Sequence, residues 1–324
     1  MGLNSPVHHD NPNARPRIGL IGGGSMGSLF GFHLAQIADV TVLEVNDVVR
    51  TGIGRDGLRV NDEPPRAVRV TEHARDLFAS DLLFLFVKAV DTLRALRPFA
   101  GELNPTTPIV SLQNGVGNED AIKTALGGAV PVVLGVTTES AETVAPGAVR
   151  SSEQGSTLIG SAGASAATAK AVAERLTQSG LRAAVVYDIK PHLWGKLVAN
   201  AAVNALSALL DCEAGAILRD PNAAHLAESL AEEAATVAAA MKIALPFANP
   251  WQYVAEVIAV GAESKSSMAF DLALGHPSEI DHLNGAIVAL GRRVGVATPH
   301  NESVMRLMKA REALQLVRRQ KEKL

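Results

Sequence analysis

Lys196, Asn200 and Asn204 stand four residues apart in an otherwise apolar run, Leu193-Trp194-Gly195-Lys196-Leu197-Val198-Ala199-Asn200-Ala201-Ala202-Val203-Asn204-Ala205-Leu206. On a helix that spacing lines one ammonium and two amides along a single face. A helix this apolar has to be buried, and buried polar groups are costly unless they are paired. One reading of the stripe is a hydrogen-bonded structural seam. The other is a cleft wall in which Lys196 supplies charge and the amides bind oxygens of a ligand.

A second stretch, Ile18-Gly19-Leu20-Ile21-Gly22-Gly23-Gly24-Ser25-Met26-Gly27, sets a Gly-x-Gly-x-x-Gly turn directly after a β-like segment. Gly22 allows the tight strand-to-helix turn, Gly24 lets the backbone approach a pyrophosphate, and Gly27 lets the next helix pack close to a sheet. With Gly23, Ser25 and Met26 these residues form a loop whose phosphates would rest on the positive end of a helix starting near Ser25. Phe30, Leu34 and Ile37 follow at helical spacing, and Val40-Thr41-Val42-Leu43-Glu44 gives a second strand that ends in an acid. Together they read as a dinucleotide-binding site. A carboxylate at Glu44 accepts hydrogen bonds from two ribose hydroxyls and repels a phosphate, which favours NADH over NADPH.

Between Arg17 and about Tyr187 the chain alternates short β-branched runs with helical stretches, as at 81–87, 108–112 and 132–136. That alternation predicts a mostly parallel sheet wrapped by helices, with 183–187 as its last strand. Asp188 and Pro191 then open a long helix. The remainder is rich in Ala and Leu with turn signals at Leu245-Pro246, Asn249-Pro250, Gly275 and Thr298-Pro299. The expected fold is α/β: a Rossmann-type doubly wound sheet over residues 15–187 and an all-helical domain over 188–324. The natural cleft lies between them, at the carboxyl edge of the sheet.

Two further polar segments belong at that seam. Asn114 follows an apolar strand in Gln113-Asn114-Gly115-Val116-Gly117-Asn118, which by itself is also a plain Asn-Gly turn. Ser266-Ser267-Met268 is followed by His276-Pro277-Ser278-Glu279-Ile280-Asp281-His282, where Ser278 can cap a helix and Glu279 can serve as its first-turn acid.

Composition narrows the classes. The net charge of −3 and an aromatic content of 4% argue against a nucleic-acid partner. The basic cluster Arg318-Arg319-Gln320-Lys321 reads as a solvated helix end. The polar start, Met1 to Pro16, is expected to be disordered and carries no signal peptide, and no apolar run approaches the length of a membrane span. Cys212 is the only cysteine, which excludes an internal disulfide and a multi-cysteine metal site and points to a reducing cytoplasm. Behind Leu209 and Leu210 it is expected to be a small buried hydrophobe. The alanine-rich helical surface is compatible with a homodimer.

From about Arg17 to Glu312 the chain resembles the ketopantoate reductases (2-dehydropantoate 2-reductases). The likeness rests on Gly22 to Gly27, Val87-Lys88, Ser111 to Asn118, Gly135-Val136-Thr137-Thr138, Trp194 to Asn204 and Ser266 to Gly285. It implies that hydride moves from NAD(P)H to C2 of a 2-oxo acid, giving the 2-hydroxy acid. It matches Lys196 to the catalytic lysine, Glu279 to the active-site glutamate, and Asn114, Asn200, Asn204 and Ser267 to substrate-binding positions. Lys88 matches a lysine near the adenosine end of the cofactor. On this reading Asn114, which also borders the cofactor, orients Lys196, and Glu279 binds the substrate hydroxyl, the lysine, or both.

The resemblance by itself implies NADPH, since many members carry an arginine near the end of the second strand that binds the adenosine 2′-phosphate; this chain departs from them there, with Leu43-Glu44-Val45-Asn46, and where asparagines of the family align with Ala214 and Ser264. These departures keep open a second enzyme of the same fold, an NAD-dependent D-2-hydroxy-acid dehydrogenase of branched or aromatic 2-oxo acids. A dinucleotide sensor without catalysis is the reading from another class. The presence of both Lys196 and Glu279 argues against it.

Overall fold

The computed structural model describes residues 15–128, 130–161 and 164–322, with side chains as far as Val317. The expected disorder of residues 1–14 and the solvated Arg318-to-Lys321 side chains lie outside the described residues. Eleven strands occur among the described residues: β1 (Arg17–Ile21), β2 (Asp39–Leu43), β3 (Arg59–Val60), β4 (Arg69–Thr71), β5 (Leu82–Leu85), β6 (Ile109–Ser111), β7 (Val132–Thr137), β8 (Glu142–Ala145), β9 (Ala148–Arg150), β10 (Thr157–Ser161) and β11 (Ala183–Val185). After Val185 the described residues are helical or irregular.

Eight strands form one sheet in the order β11-β10-β7-β6-β5-β1-β2-β4. Neighbours are parallel throughout except β7 and β10. Such strands are covered on both faces and so need near-continuous apolar sequence. Leu82-Leu83-Phe84-Leu85 and Val132 to Thr137 meet that need, buried at every residue. The helices of this half are α1 (Ser25–Leu34), α2 (Asp47–Asp56), α3 (Thr92–Leu96), α4 (Asn118–Leu126) and α5 (Ala166–Gln178). One core cluster joins Phe30 and Phe32 of α1 to Val172 and Leu176 of α5, and a separate one joins Leu96 of α3 to Ile122 of α4. The chain builds β2 and β4 on one side of β1, then returns to place β5 on the other. That reversal opens a crevice at the carboxyl ends of β1 and β5.

Three details differ from the sequence expectation. Helix α1 stops at Leu34, and Ile37 lies in a turn in which its N–H donates to the Leu34 carbonyl at 3.0 Å. Strand β11 ends at Val185, leaving Tyr187 exposed. A small sheet, β3-β9-β8, packs beside α1. Its strands are short and β8 is exposed at every residue, so no alternation marks it in the sequence.

Helix α6 (Lys190–Leu210) is the axis of the helical half, with Pro191 in its first turn and Asp188 Oδ1 accepting the Lys190 N–H at 3.0 Å. Around it lie α7 (Ala214–Arg219), α8 (Pro221–Ala240), α9 (Pro250–Val260), α10 (Ser267–Leu274), α11 (Asn284–Val294) and α12 (Pro299–Glu322). Among the described residues α6 alone has the length and hydropathy to cross a membrane, but 67% of its 18-residue apolar stretch is buried in this helical core. Cys212, free and half-buried, packs against the same core.

Candidate active site

The glycine-rich loop leaves β1 at the crevice. Gly22 has φ +108°, and a Cβ there would meet the Val87 backbone nitrogen at 3.0 Å. A Cβ on Gly27 would come within 2.0 Å of the Gly22 carbonyl oxygen, so the start of α1 can lie this close only with glycine. Around Gly24, which caps α1, nothing stands within 4 Å of a Cβ position. The first-turn N–H groups that follow have no acceptor within their helix. An open cap with free N–H donors fits a pyrophosphate.

Glu44 closes the loop from the β2 side. Its Oε2 accepts the Gly23 N–H at 2.8 Å and its Oε1 accepts the Asn46 N–H at 2.7 Å. A carboxylate offers about four acceptor positions, so two hydrogen bonds leave it capacity for hydroxyls.

Lys196 points at the carboxyl end of β7, where its Nζ donates to the Thr137 carbonyl at 2.9 Å. It lines a crevice with Leu112, Gln113, Asn114, Gly115, Gly135, Val136 and Leu193. The residue keeps partial exposure, yet desolvation of the ammonium holds its pKa down at about 8, against the opposing charge of Glu279. Asn200 and Asn204 continue the stripe, half-buried, and their side-chain amides form no hydrogen bond with any described residue. Their donors and acceptors are open to other partners.

Glu279 lies beyond α10 and reaches the sheet half. Its Oε2 accepts from Asn114 Nδ2 at 3.2 Å and its Oε1 from the Ala89 N–H at 3.3 Å. Asn114 therefore holds the glutamate, not the lysine as expected. The Asn114 amide N–H groups suit the carboxylate of Glu279, and Lys196 Nζ donates to the Thr137 carbonyl instead. Asn118 Nδ2 in turn donates to the Asn114 carbonyl at 3.1 Å and fixes the loop. Ser278 Oγ accepts from Ile280 N at 3.3 Å and opens a single 3₁₀ turn, Ile280–His282.

Lys88 makes its polar contacts with the helical half. Its Nζ lies 2.6 Å from Asp271 Oδ1 and donates to the Pro277 carbonyl at 3.1 Å, so it joins the sheet half to α10. Ser267 is the exposed first residue of α10. Its neighbour Ser266 caps the helix, accepting the Ala269 N–H at 3.1 Å, and donates to the Asn204 carbonyl at 2.9 Å. Ser267 is thereby carried next to the end of the polar stripe.

Sequence reasoning gave no role of their own to Thr137 and Gln113, and missed Asp271. Thr137 acts through its carbonyl, which no side-chain pattern signals. Gln113 is buried and donates to the Val87 carbonyl at 2.7 Å and to Thr92 Oγ1 at 2.9 Å, bracing the ends of β5 and β6. Asp271 is the one charge in Ser267-Met268-Ala269-Phe270-Asp271-Leu272-Ala273-Leu274, and that isolation was its signal.

Comparison with known proteins gives this geometry a family. Residues 18–164 match the family described as Ketopantoate reductase PanE/ApbA, and residues 188–312 match its C-terminal counterpart. A 2-dehydropantoate 2-reductase of Archaeoglobus fulgidus is 33% identical over 300 residues, covering 92% of this chain and 98% of its own. One of Pyrobaculum aerophilum is 39% identical over 207 residues, 63% of this chain and 70% of its own. Among solved structures, a PanE/ApbA family ketopantoate reductase from Ralstonia eutropha superposes with a TM-score of 0.85 at 28% identity, over 93% of this chain and 99% of that one. D-Mandelate dehydrogenase in ternary complex with NADH and anilino(oxo)acetate superposes with a TM-score of 0.83 at 28% identity, over 92% of this chain and 98% of that one. On the match across both halves and on the near full-length identity, the chain belongs to the ketopantoate reductase PanE/ApbA family.

Proposed function

We propose that this protein reduces the C2 carbonyl of ketopantoate to the hydroxyl of pantoate with NAD(P)H. Residues 15–187 act as the dinucleotide-binding unit and 188–324 as the helical substrate unit. The observation that carries the reading is Lys196: a desolvated ammonium in a crevice at the strand ends, heading a stripe of two unpaired amides. The open cap at Gly24 supports dinucleotide binding there.

A bound reduced nicotinamide supplies the hydride. Negative charge then develops on the substrate oxygen, and Lys196 stabilises it and delivers the proton. Asn200, Asn204 and Ser267 hold the substrate's oxygens. Glu279, held by Asn114 and Ala89, keeps a negative charge near Lys196 and so favours the protonated lysine at neutral pH. Glu44 favours NADH, because a 2′-phosphate would approach a carboxylate already aimed at the loop.

A second reading is supported by the likeness to D-mandelate dehydrogenase: the same machinery acting on a branched or aromatic 2-oxo acid. Steady-state kinetics of the purified protein with ketopantoate and a panel of bulky apolar 2-oxo acids, each with NADH and NADPH, separates the two. The largest kcat/KM on ketopantoate with NADH is expected. A higher value on an aromatic 2-oxo acid selects the second reading, and no turnover of any 2-oxo acid overturns both.

A further inference from the structure

Glu279 reaches the sheet half from a segment with little regular structure. Between Leu274, the last residue of α10, and Asn284, the first of α11, that segment holds only the turn Ile280–His282. The Glu279 carbonyl closes the turn, accepting the His282 and Leu283 N–H groups at 2.9 and 3.1 Å. Ile280 and Leu283 are buried in the helical core and anchor it there. These contacts all lie on the C-terminal side of Glu279, whereas its direction also depends on the peptide that precedes it.

Helix α12 holds that peptide. Glu312 Oε1 accepts the Ser278 N–H at 2.8 Å, one residue before Glu279. Lys309 donates to Asp281 Oδ1 and Oδ2 at 2.8 and 2.9 Å, two residues after it, and Gln315 donates to the Leu272 carbonyl at 2.7 Å. Residues three apart are neighbours on a helix surface, so Lys309, Glu312 and Gln315 form one row against the segment. The contacts differ in strength. The Lys309 and Asp281 side chains are 50% and 58% exposed, and such a pair contributes little. Glu312 is half-buried, and a main-chain N–H donating to a carboxylate makes one of the stronger hydrogen bonds.

Glu279 also stands under load. Burial raises the Asp271 carboxyl above its usual range, and the charge of Glu279 adds to this while Lys88 opposes it. Two carboxylates that feel each other repel, so the backbone that carries Glu279 has to resist the push.

We propose that Glu312 is a positioning residue for Glu279: by holding the Ser278 N–H it fixes the peptide that aims the glutamate at Asn114 and Ala89, and with it the negative charge near Lys196. This role rests on the reading above in one respect, that Glu279 supports the Lys196 ammonium.

The test is the titration of Lys196 itself, followed by carbon NMR of the lysine Cε and assigned with Lys196→Ala, beside kcat/KM against pH and thermal unfolding. The intact protein is compared with E279Q, E312A, E312D, E312Q and the E279Q/E312A pair. E279Q sets the scale, with the Lys196 pKa expected to fall by about 0.5 or more. E312A should move it the same way by at least half as much, with Tm within about 3 °C of the parent. E312D, which draws the acceptor back, should move it partway and carries the test should E312A not fold. E312Q should stay with the parent, because its amide oxygen can still accept the Ser278 N–H although the charge is gone. The pair should titrate no lower than E279Q alone. Glu312 loses its role if E312A and E312D leave Lys196 unmoved while E279Q lowers it, if the pair falls further, or if E312Q shifts as far as E312A. An unchanged Lys196 in E279Q overturns the role as well, by removing the Glu279 charge from the lysine. If the shifts appear and no 2-oxo acid is turned over, the positioning stands and the proposed reaction fails.

Discussion

Glu279 and Asn114, 165 positions apart in sequence, meet at 3.2 Å across the seam between sheet and helices. The contact puts a carboxylate within electrostatic reach of Lys196 without a direct ion pair, and Thr137 takes the lysine's hydrogen bond instead. Lys196 is thus left as an ammonium whose proton can be given up, because no strong anion clamps it. Desolvation lowers its pKa and Glu279 limits the fall. That balance places the group near the range in which a general acid works best.

The pH dependence follows with a definite sign. On the proposed mechanism carbonyl reduction needs Lys196 protonated, so kcat/KM for reduction should be flat below pH 8 and fall about tenfold per unit above it, following the pKa of about 8. Oxidation of the 2-hydroxy acid needs the neutral amine and should rise through the same pH. In Glu279→Gln the charge that supports the ammonium is gone, so the reductive limb should move to lower pH. Rate profiles in both directions check this, and a limb that moves upward in the variant contradicts it.

Lys196→Ala should lower kcat by roughly two orders of magnitude or more, the usual scale for loss of a general acid with its charge stabilisation. NADH Kd should be little changed. Turnover at an undiminished rate removes the lysine from the chemistry.

The glycine loop gives a contrast between fold and ligand. Gly24→Ala meets nothing within 4 Å and has ordinary backbone angles, so thermal stability should hold while NADH binding weakens about tenfold or more. Gly27→Ala forces a Cβ to within 2.0 Å of a carbonyl oxygen and should cost roughly 2 kcal/mol or more, lowering Tm by several degrees. Differential scanning calorimetry beside a binding titration reads both, and equal losses of stability in the two variants would refute the assignment.

Cofactor choice should respond to Glu44. Glu44→Gln removes the negative charge but can retain an acceptor for the Gly23 N–H. The ratio of kcat/KM for NADPH to that for NADH is expected to rise about tenfold. A ratio that does not change means the carboxylate has no part in discriminating the ribose.

The sequence by itself determined the parts whose information is local. Periodicity marked β1, β2, β5, β6 and β7 as buried strands, because strands covered on both faces must be apolar along their length. The Gly-x-Gly-x-x-Gly spacing located a turn that glycine alone permits, and the i, i+4, i+8 spacing put Lys196, Asn200 and Asn204 on one face of a helix. Short exposed strands left no such trace, since β3 and β8 are held by pairing partners and not by a pattern of their own. Only the tertiary structure decided who partners whom. It gave Asn114 to Glu279, Lys196 to a main-chain carbonyl, and Lys88 to Asp271. Those choices depend on which charges are brought close and how far each is removed from water, and these distances arise when sheet and helices pack, not in the order of residues along the chain.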